Sequence, residues 1–302
     1  MKKTICTIIA MLAITISITA QQKEFPKLTG PYLGQKPPGM TPEIFAPGVI
    51  SKESTQEFAG TFAPGGKAFY FTRRPEYDDF QAQRIWFTRE INGKWTEPEP
   101  APFSENCMEL EPSISPDGQR LYFGSSRPLP GEKQYSRMPA IWIMKKNDDV
   151  WGDLTYFAPM MMYISEAGNR DIYYTDLAMG GCVAVKRWDG MKYGPGERLP
   201  ETVNYVNSPT HPFIARDQSF LLYDGEVDDV RRVLYVSFKQ AGGTWSQGVQ
   251  LGNGVNTRYG EMCPSISPDG KYLFFESDRA GKMDIYWVDA KIIEELKPIN
   301  LK

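Results

Sequence analysis

A five-residue phrase, Ile-Ser-Pro-Asp-Gly, occurs at 114–118 and again at 266–270, and it constrains the chain more than any other feature. Weaker copies are Phe62-Ala63-Pro64-Gly65-Gly66, Ile164-Ser165-Glu166-Ala167-Gly168 and Ile214-Ala215-Arg216-Asp217-Gln218. The leading residues 62, 114, 164, 214 and 266 stand 52, 50, 50 and 52 positions apart. A period this even and this long suits one four-stranded propeller blade better than a helical solenoid unit. The chain of 302 residues, 41% hydrophobic, is long enough to bury such a core, and its 27 Gly and 24 Pro fit many short strands joined by turns.

Each copy reads strand by strand. The innermost strand ends at the leading residue. Pro-Asp-Gly then turns the chain, because Pro fixes φ and Gly accepts positive φ. The second strand follows in Tyr70-Phe71, Tyr122-Phe123, Ile172-Tyr173, Leu222-Tyr223 and Phe274-Phe275. The third is Ile85-Trp86-Phe87, Ile141-Trp142-Ile143, Val183-Ala184-Val185, Leu234-Tyr235-Val236 and Ile285-Tyr286-Trp287. These β-branched and aromatic runs suit sheets buried on both faces. The fourth strand opens on Trp95, Trp151, Tyr193 or Trp245, after turns such as Asn92-Gly93 and Asp189-Gly190.

The fifth copy lacks a fourth strand. Ile44-Phe45-Ala46-Pro47 matches Tyr156-Phe157-Ala158-Pro159 at the end of the second copy's fourth strand. Residues near 42–50 are therefore expected to complete the last blade and remove its free edge. The fold class expected is all-β: a five-bladed β-propeller of four-stranded antiparallel blades, closed by an N-terminal strand. Six blades is the alternative, if an irregular blade lies in the third copy. The expected organisation is a signal peptide over 1–20, an extended arm over 21–41 and a single propeller domain over 42–302.

Lys2 and Lys3 precede an apolar run over 5–18, too short for a bilayer core of about 30 Å, and Ala20 offers a small residue at a cut before Gln21. Cys6 sits at the front of that run, not just after it where a lipoprotein would need it. Export to the periplasm or beyond, without membrane insertion after cleavage, is the expectation. The formal charge is −3, and −5 once two lysines leave with the leader, so nucleic acid is not an expected partner. Cys107, Cys182 and Cys263 remain, an odd number, expected as buried thiols.

Ser-Pro-Asp-Gly before an aromatic strand, followed in the last copy by Ser277-Asp278-Arg279 and Asp284-Ile285-Tyr286, resembles the TolB-like propeller repeats, WD-type repeats without the Trp-Asp signature. The copies cover nearly all of the chain after the leader. The resemblance implies a propeller in the envelope or outside the cell, with a binding or scaffolding role. It implies no catalytic residue.

Loops entering the innermost strands ring one channel mouth, and function concentrates on such loops. Three residues before each leading position lie Ala59, Glu111, Met161, His211 and Cys263. Two residues earlier lie Glu57, Glu109, Pro159, Pro209 and Glu261. Glu111 and His211, the one histidine, are candidate ligand partners there. Glu57, Glu109 and Glu261 either contact ligand or cap the same backbone groups in each blade. Arg74, Arg127 and Arg279 open the loops after the second strands, as a cationic rim or as partners of their own blades. Loops 74–83, with Tyr77, Asp78, Asp79 and Phe80, and 129–139, with Tyr135 and Arg137, depart from the repeat and could set specificity. The aspartates at 148–149 and 228–229 lack the spaced ligands of a calcium site. A lone histidine, no zinc-type cysteine pair, no phosphate loop and no Gly-x-Ser-x-Gly elbow point to no cofactor and no metal. The function expected is a binding or scaffold propeller presenting a funnel to a protein, peptide or glycan. A glycoside hydrolase using Glu57, Glu109, Glu111 or Glu261 is the alternative. Deleting residues 1–20 is expected to abolish export, measured by cell fractionation; unchanged export would refute the leader.

Overall fold

A computed structural model describes residues 25–301 apart from 77, 148, 149, 229, 230 and 253. The leader expected over 1–20, Tyr77, Asp148, Asp149 and Asp229 lie outside the described residues.

Five antiparallel sheets follow one another along the chain. Blade one holds Gln56–Phe62, Ala68–Arg74 and Arg84–Ile91, with Lys94–Trp95 and Glu99–Pro100 on its outer edge. Blade two holds Glu109–Ile114, Arg120–Ser125, Ala140–Asn147 and Val150–Ala158. Blade three holds Met161–Glu166, Ile172–Asp176, Cys182–Trp188 and Tyr193–Arg198. Blade four holds Asn207–Ile214, Phe220–Glu226, Arg232–Phe238 and Val249–Gln250. Blade five holds Glu261–Ile266, Tyr272–Ser277 and Asp284–Asp289, completed by Glu43–Ile44 from the N-terminal side. The protein is a five-bladed β-propeller, as the repeat predicts.

The core is a set of five seams, one between each pair of neighbouring blades. Phe87 and Ile85 meet Leu121, Phe123 and Trp142 between blades one and two. Ile141 and Ile143 meet Ile172 and Tyr174 at the next seam. Val183 and Val185 meet Leu221 and Tyr223. Leu234 and Val236 meet Phe275 and Val288. At the last seam Phe45, which exposes no surface, contacts Phe62 and Phe69 of blade one and Phe274 and Trp287 of blade five, with ring centroids 5.0–6.0 Å apart. Residues 25–41 run over this same seam. Gly30 O accepts from Trp95 Nε1, Tyr32 Oη donates to Asp269, and Gln35 bridges Ile44 O and Ala46 N.

Two alignments read from the sequence shift. In blade three the residue equivalent to Phe62, Ile114, Ile214 and Ile266 is Glu166, which pairs with Ile172, not Ile164. Its turn is one residue shorter, and the apolar leader is replaced by a carboxylate that Arg120 and Tyr122 of blade two hold at 2.7–2.9 Å. In blade four, Trp245 makes only an isolated bridge with Lys239, and Val249–Gln250 is the paired outer strand.

Phe45→Ala is expected to cost about 3–5 kcal/mol, because the cavity opens between two blades. That corresponds to a Tm lower by roughly 10 °C in a thermal melt; an unchanged Tm would refute closure of the ring through this side chain.

Candidate functional site

Every innermost strand carries a bulge at the same place. Register slips between Phe58 and Thr61, Leu110 and Ser113, Met162 and Ser165, Thr210 and Phe213, and Met262 and Ser265. One residue in each bulge is left-handed: Ala59, Glu111, Tyr163, His211 and Cys263, at φ 49–58°. The ring position in blade three is thus Tyr163, not Met161, and the residue two before it is Met161, not Pro159. A non-glycine residue there costs on the order of 1 kcal/mol. The bulges return that cost by aiming backbone N–H groups at the preceding blade. Glu111 N donates to Thr72 Oγ1 (2.9 Å), His211 N to Thr175 Oγ1 (3.0 Å) and Cys263 N to Asp224 Oδ2 (3.3 Å). Blade two has Gly124 at the acceptor position, so Tyr163 N turns to the Glu111 carboxylate, at 3.0 Å from Oε2.

These residues meet on the ring axis. Phe58, Ala59, Tyr163 and Cys263, from blades one, three and five, pack together, and Tyr163 Oη reaches across to Pro264 O at 2.9 Å. Beside this plug lies a buried polar core. His211 Nδ1 is 2.6 Å from Asp224 Oδ2, and its Nε2 is 3.6 Å from Glu111 Oε1. Arg232 Nε also reaches Asp224, at 2.6 Å. Burial opposes the imidazolium, yet Asp224 and Glu111 outweigh it and push His211 up to about 10. His211 is therefore a cation at neutral pH and unavailable as a general base. Burial would raise Asp224, but His211 and Arg232 hold it below the usual carboxylate range. Burial pushes Glu276 up to about 7, and one of its oxygens has no hydrogen-bond partner. Burial and the surrounding carboxylates raise the Cys263 thiol far above its ordinary range, so it is not a nucleophile. Cys107 and Cys182 are also free and buried.

Glu111 and His211 do come together, with Cys263 near them. Glu57, Glu109 and Glu261 do not join them. Each exposes no surface and is spent on loop and strand partners, with Glu57 also reaching Lys282 of blade five at 3.7 Å. Glu57 takes Lys52 N, Thr55 and Arg73. Glu109 takes Ser104, Glu105 N and Arg127. Glu261 takes Thr257, Ser277 and Arg279. Arg127 and Arg279 are equivalent: each guanidinium pairs with its Glu, donates to a loop carbonyl and stacks on two aromatic rings, Phe123 and Trp142 or Phe275 and Tyr286. In blade one the same task falls to Arg73, two positions earlier in the register, over Phe71 and Trp86. Arg74 turns away, over Phe80 at 4.6 Å and Phe58 at 5.6 Å.

A cavity of about 260 Å³ enters the axis from the end of the ring where the Pro-Asp-Gly turns lie. This is the mouth opposite the one ringed by the loops that enter the innermost strands. Ile114, Ile214, Ile266, Phe213 and Phe220 form its apolar walls. Thr61, Ser113, Ser165 and Ser265, one from each of four blades, add hydroxyls, and Glu111 lies along it. Glu166, the other carboxylate lining it, is occupied by Arg120 and Tyr122. A wider groove lies under the N-terminal arm, with Tyr32, Lys67, Asp269 and Lys271. Among the described residues no cluster of His, Cys, Asp and Glu could hold a metal, and no helix is long and apolar enough to cross a membrane.

No family model matches the chain, and no curated protein matches it. Solved structures similar to it include a protein assigned as TolB from Agrobacterium tumefaciens, 17% identical, covering 73% of this chain and 69% of that one at a TM-score of 0.47. TolB from Acinetobacter baumannii is 13% identical over 78% of this chain and 52% of that one, also at 0.47. A thermostable family-43 glycoside hydrolase is 10% identical over 78% of this chain and 88% of that one, at 0.49.

The Glu276 carboxyl holds its proton to about 7 in the fold against 4.5 as the ordinary value. Its raised folded pKa means stability is greatest below 4.5 and is lost as pH rises to 7. Glu276→Gln removes this contribution. The Tm of the variant relative to the parent is expected to climb between pH 4.5 and pH 8 by on the order of 5 °C; a constant difference would refute the buried proton.

Proposed function

We propose that the protein is a binding propeller that acts outside the cytoplasm and takes a small ligand, or the tip of a peptide or glycan, into the axial cavity. One observation carries this: the cavity combines apolar walls with a few convergent polar groups from several blades, the usual composition of a ligand site. Blades that meet at rigid seams hold those groups in place without cost on binding. The apolar run over 5–18, preceded by Lys2 and Lys3, supports export. The scaffold role agrees with how the charged residues are used, since Glu57, Glu109, Glu261, Arg127 and Arg279 are spent on holding loops to blades.

The hydrolase alternative needs two carboxyl groups facing one solvent-filled space. Glu57, Glu109 and Glu261 lack exposed surface, and of the four candidates only Glu111 lines the cavity. Binding is therefore the function the geometry favours.

Screening the mature protein against glycan and peptide arrays tests this, with Ser113→Trp as the variant that fills the cavity. Binding that falls at least tenfold in Ser113→Trp, with Tm maintained, is the expected outcome. Binding that persists with the cavity filled would move the site elsewhere.

A further inference from the structure

The charges around the axis show what kind of group the cavity accepts. Three buried carboxyl groups, Glu111, Asp224 and Glu276, face two buried or half-buried cations, His211 and Arg232. Asp224 takes the close contacts of both cations, each at 2.6 Å. Arg232 is further shared with Glu226, at 2.9 Å. Glu111 is left with His211 Nε2 at 3.6 Å, longer than an ordinary hydrogen bond. A buried carboxylate this weakly paired favours a further positive charge nearby. The neighbouring Glu276 holds a proton and so adds no charge, and it does not line the cavity; Glu111 does.

We infer that the axial cavity binds a primary alkylammonium group, seated on Glu111 with its aliphatic stem along the isoleucine and phenylalanine walls. This rests on the cavity being the ligand site. The donor geometry selects ammonium over guanidinium. Glu111 Oε2 already accepts the Tyr163 N–H at 3.0 Å, which leaves Oε1 as the less engaged oxygen. A guanidinium gains its strength from gripping both oxygens at once, and here it would share one of them with a backbone N–H. An ammonium has three donors that can spread over one carboxylate oxygen and hydroxyls. Ser113 and Ser165 line the same cavity. The stem meets Ile114, Ile214, Ile266 and Phe213, a lining that gains from covering methylene groups. Arg216, exposed at the mouth, disfavours a second cation there and suits an anionic or neutral far end. Two sources share this chemistry: the lysine side chain of a peptide, and a free alkylamine.

Titration calorimetry of the full mature chain with n-butylammonium, n-butanol, butyrate and n-butylguanidinium tests the inference, with Glu111→Gln and Ser113→Trp as variants. The expected result is butylammonium binding at least tenfold tighter than the other three probes, a loss of at least tenfold in Glu111→Gln, and a similar loss in Ser113→Trp. Glutamine keeps an acceptor for Tyr163 N–H, so the bulge is preserved, and an unshifted Tm confirms it. Butanol, butyrate or butylguanidinium binding as well as butylammonium, with Ser113→Trp abolishing all of them, would overturn the ammonium assignment while leaving the cavity as the site. Binding of butylammonium that Ser113→Trp leaves intact, or no binding by any probe, would overturn the inference; the array screen then decides separately whether the cavity binds anything. Acetyl-lysine-amide binding tighter than butylammonium identifies a peptide source, and the reverse identifies a free amine; either upholds the ammonium class.

Discussion

A sheet that is apolar on both faces has no stable free form in water, so each blade depends on two neighbours. Five such sheets are satisfied together only when the fifth meets the first. Everything else in this protein follows from that condition. The last seam is the one the repeat alone cannot make, because the fifth copy stops after three strands. Glu43–Ile44 supplies the missing edge, and Phe45 fills the space between Phe62, Phe69, Phe274 and Trp287. The arm before it then ties Trp95 of blade one to Asp269 of blade five.

The seams are apolar near the middle of each blade and polar near the axis. There the narrow end of each wedge leaves backbone groups facing one another. The bulges solve this with left-handed residues whose N–H groups reach the side chain at a fixed position in the preceding blade's second strand. Thr72, Thr175 and Asp224 occupy that position in three blades. Gly124 leaves it bare in a fourth, and Glu111 takes over. Glu111 thus lines the cavity and at the same time holds the left-handed Tyr163 bulge of the next blade.

The architecture was legible because turn chemistry repeats: Pro-Asp-Gly can be seen without knowing what surrounds it. The same habit misled in blade three. Ile164 looks like the leading residue because it is apolar, while the true equivalent, Glu166, is charged and is neutralised only by Arg120 from the neighbouring sheet. A cross-blade partner is invisible to periodicity. The arginines show the same limit. Arg73 does for Glu57 what Arg127 does for Glu109, from a different register position, and only the shared aromatic pair reveals it. Asp224 and Glu276 escaped notice altogether, although a signal was present: each is an acidic residue that directly follows four large aromatic or aliphatic side chains in a second strand. Which mouth holds the cavity depends on how side chains fill the axis, above all on Tyr163 crossing to Pro264, and spacing carries no trace of that contact.

The pairing of Ile44 with Tyr286 has a consequence for how the chain is made. The strand that seals the circle emerges among the first residues, and its partner among the last. Until Tyr286 arrives, blade one presents an unmatched face and the closing strand has nothing to zip onto. Such a topology joins distant parts of the sequence and folds slowly. The ring therefore cannot close before the strand that holds Tyr286 is in place beside Ile44.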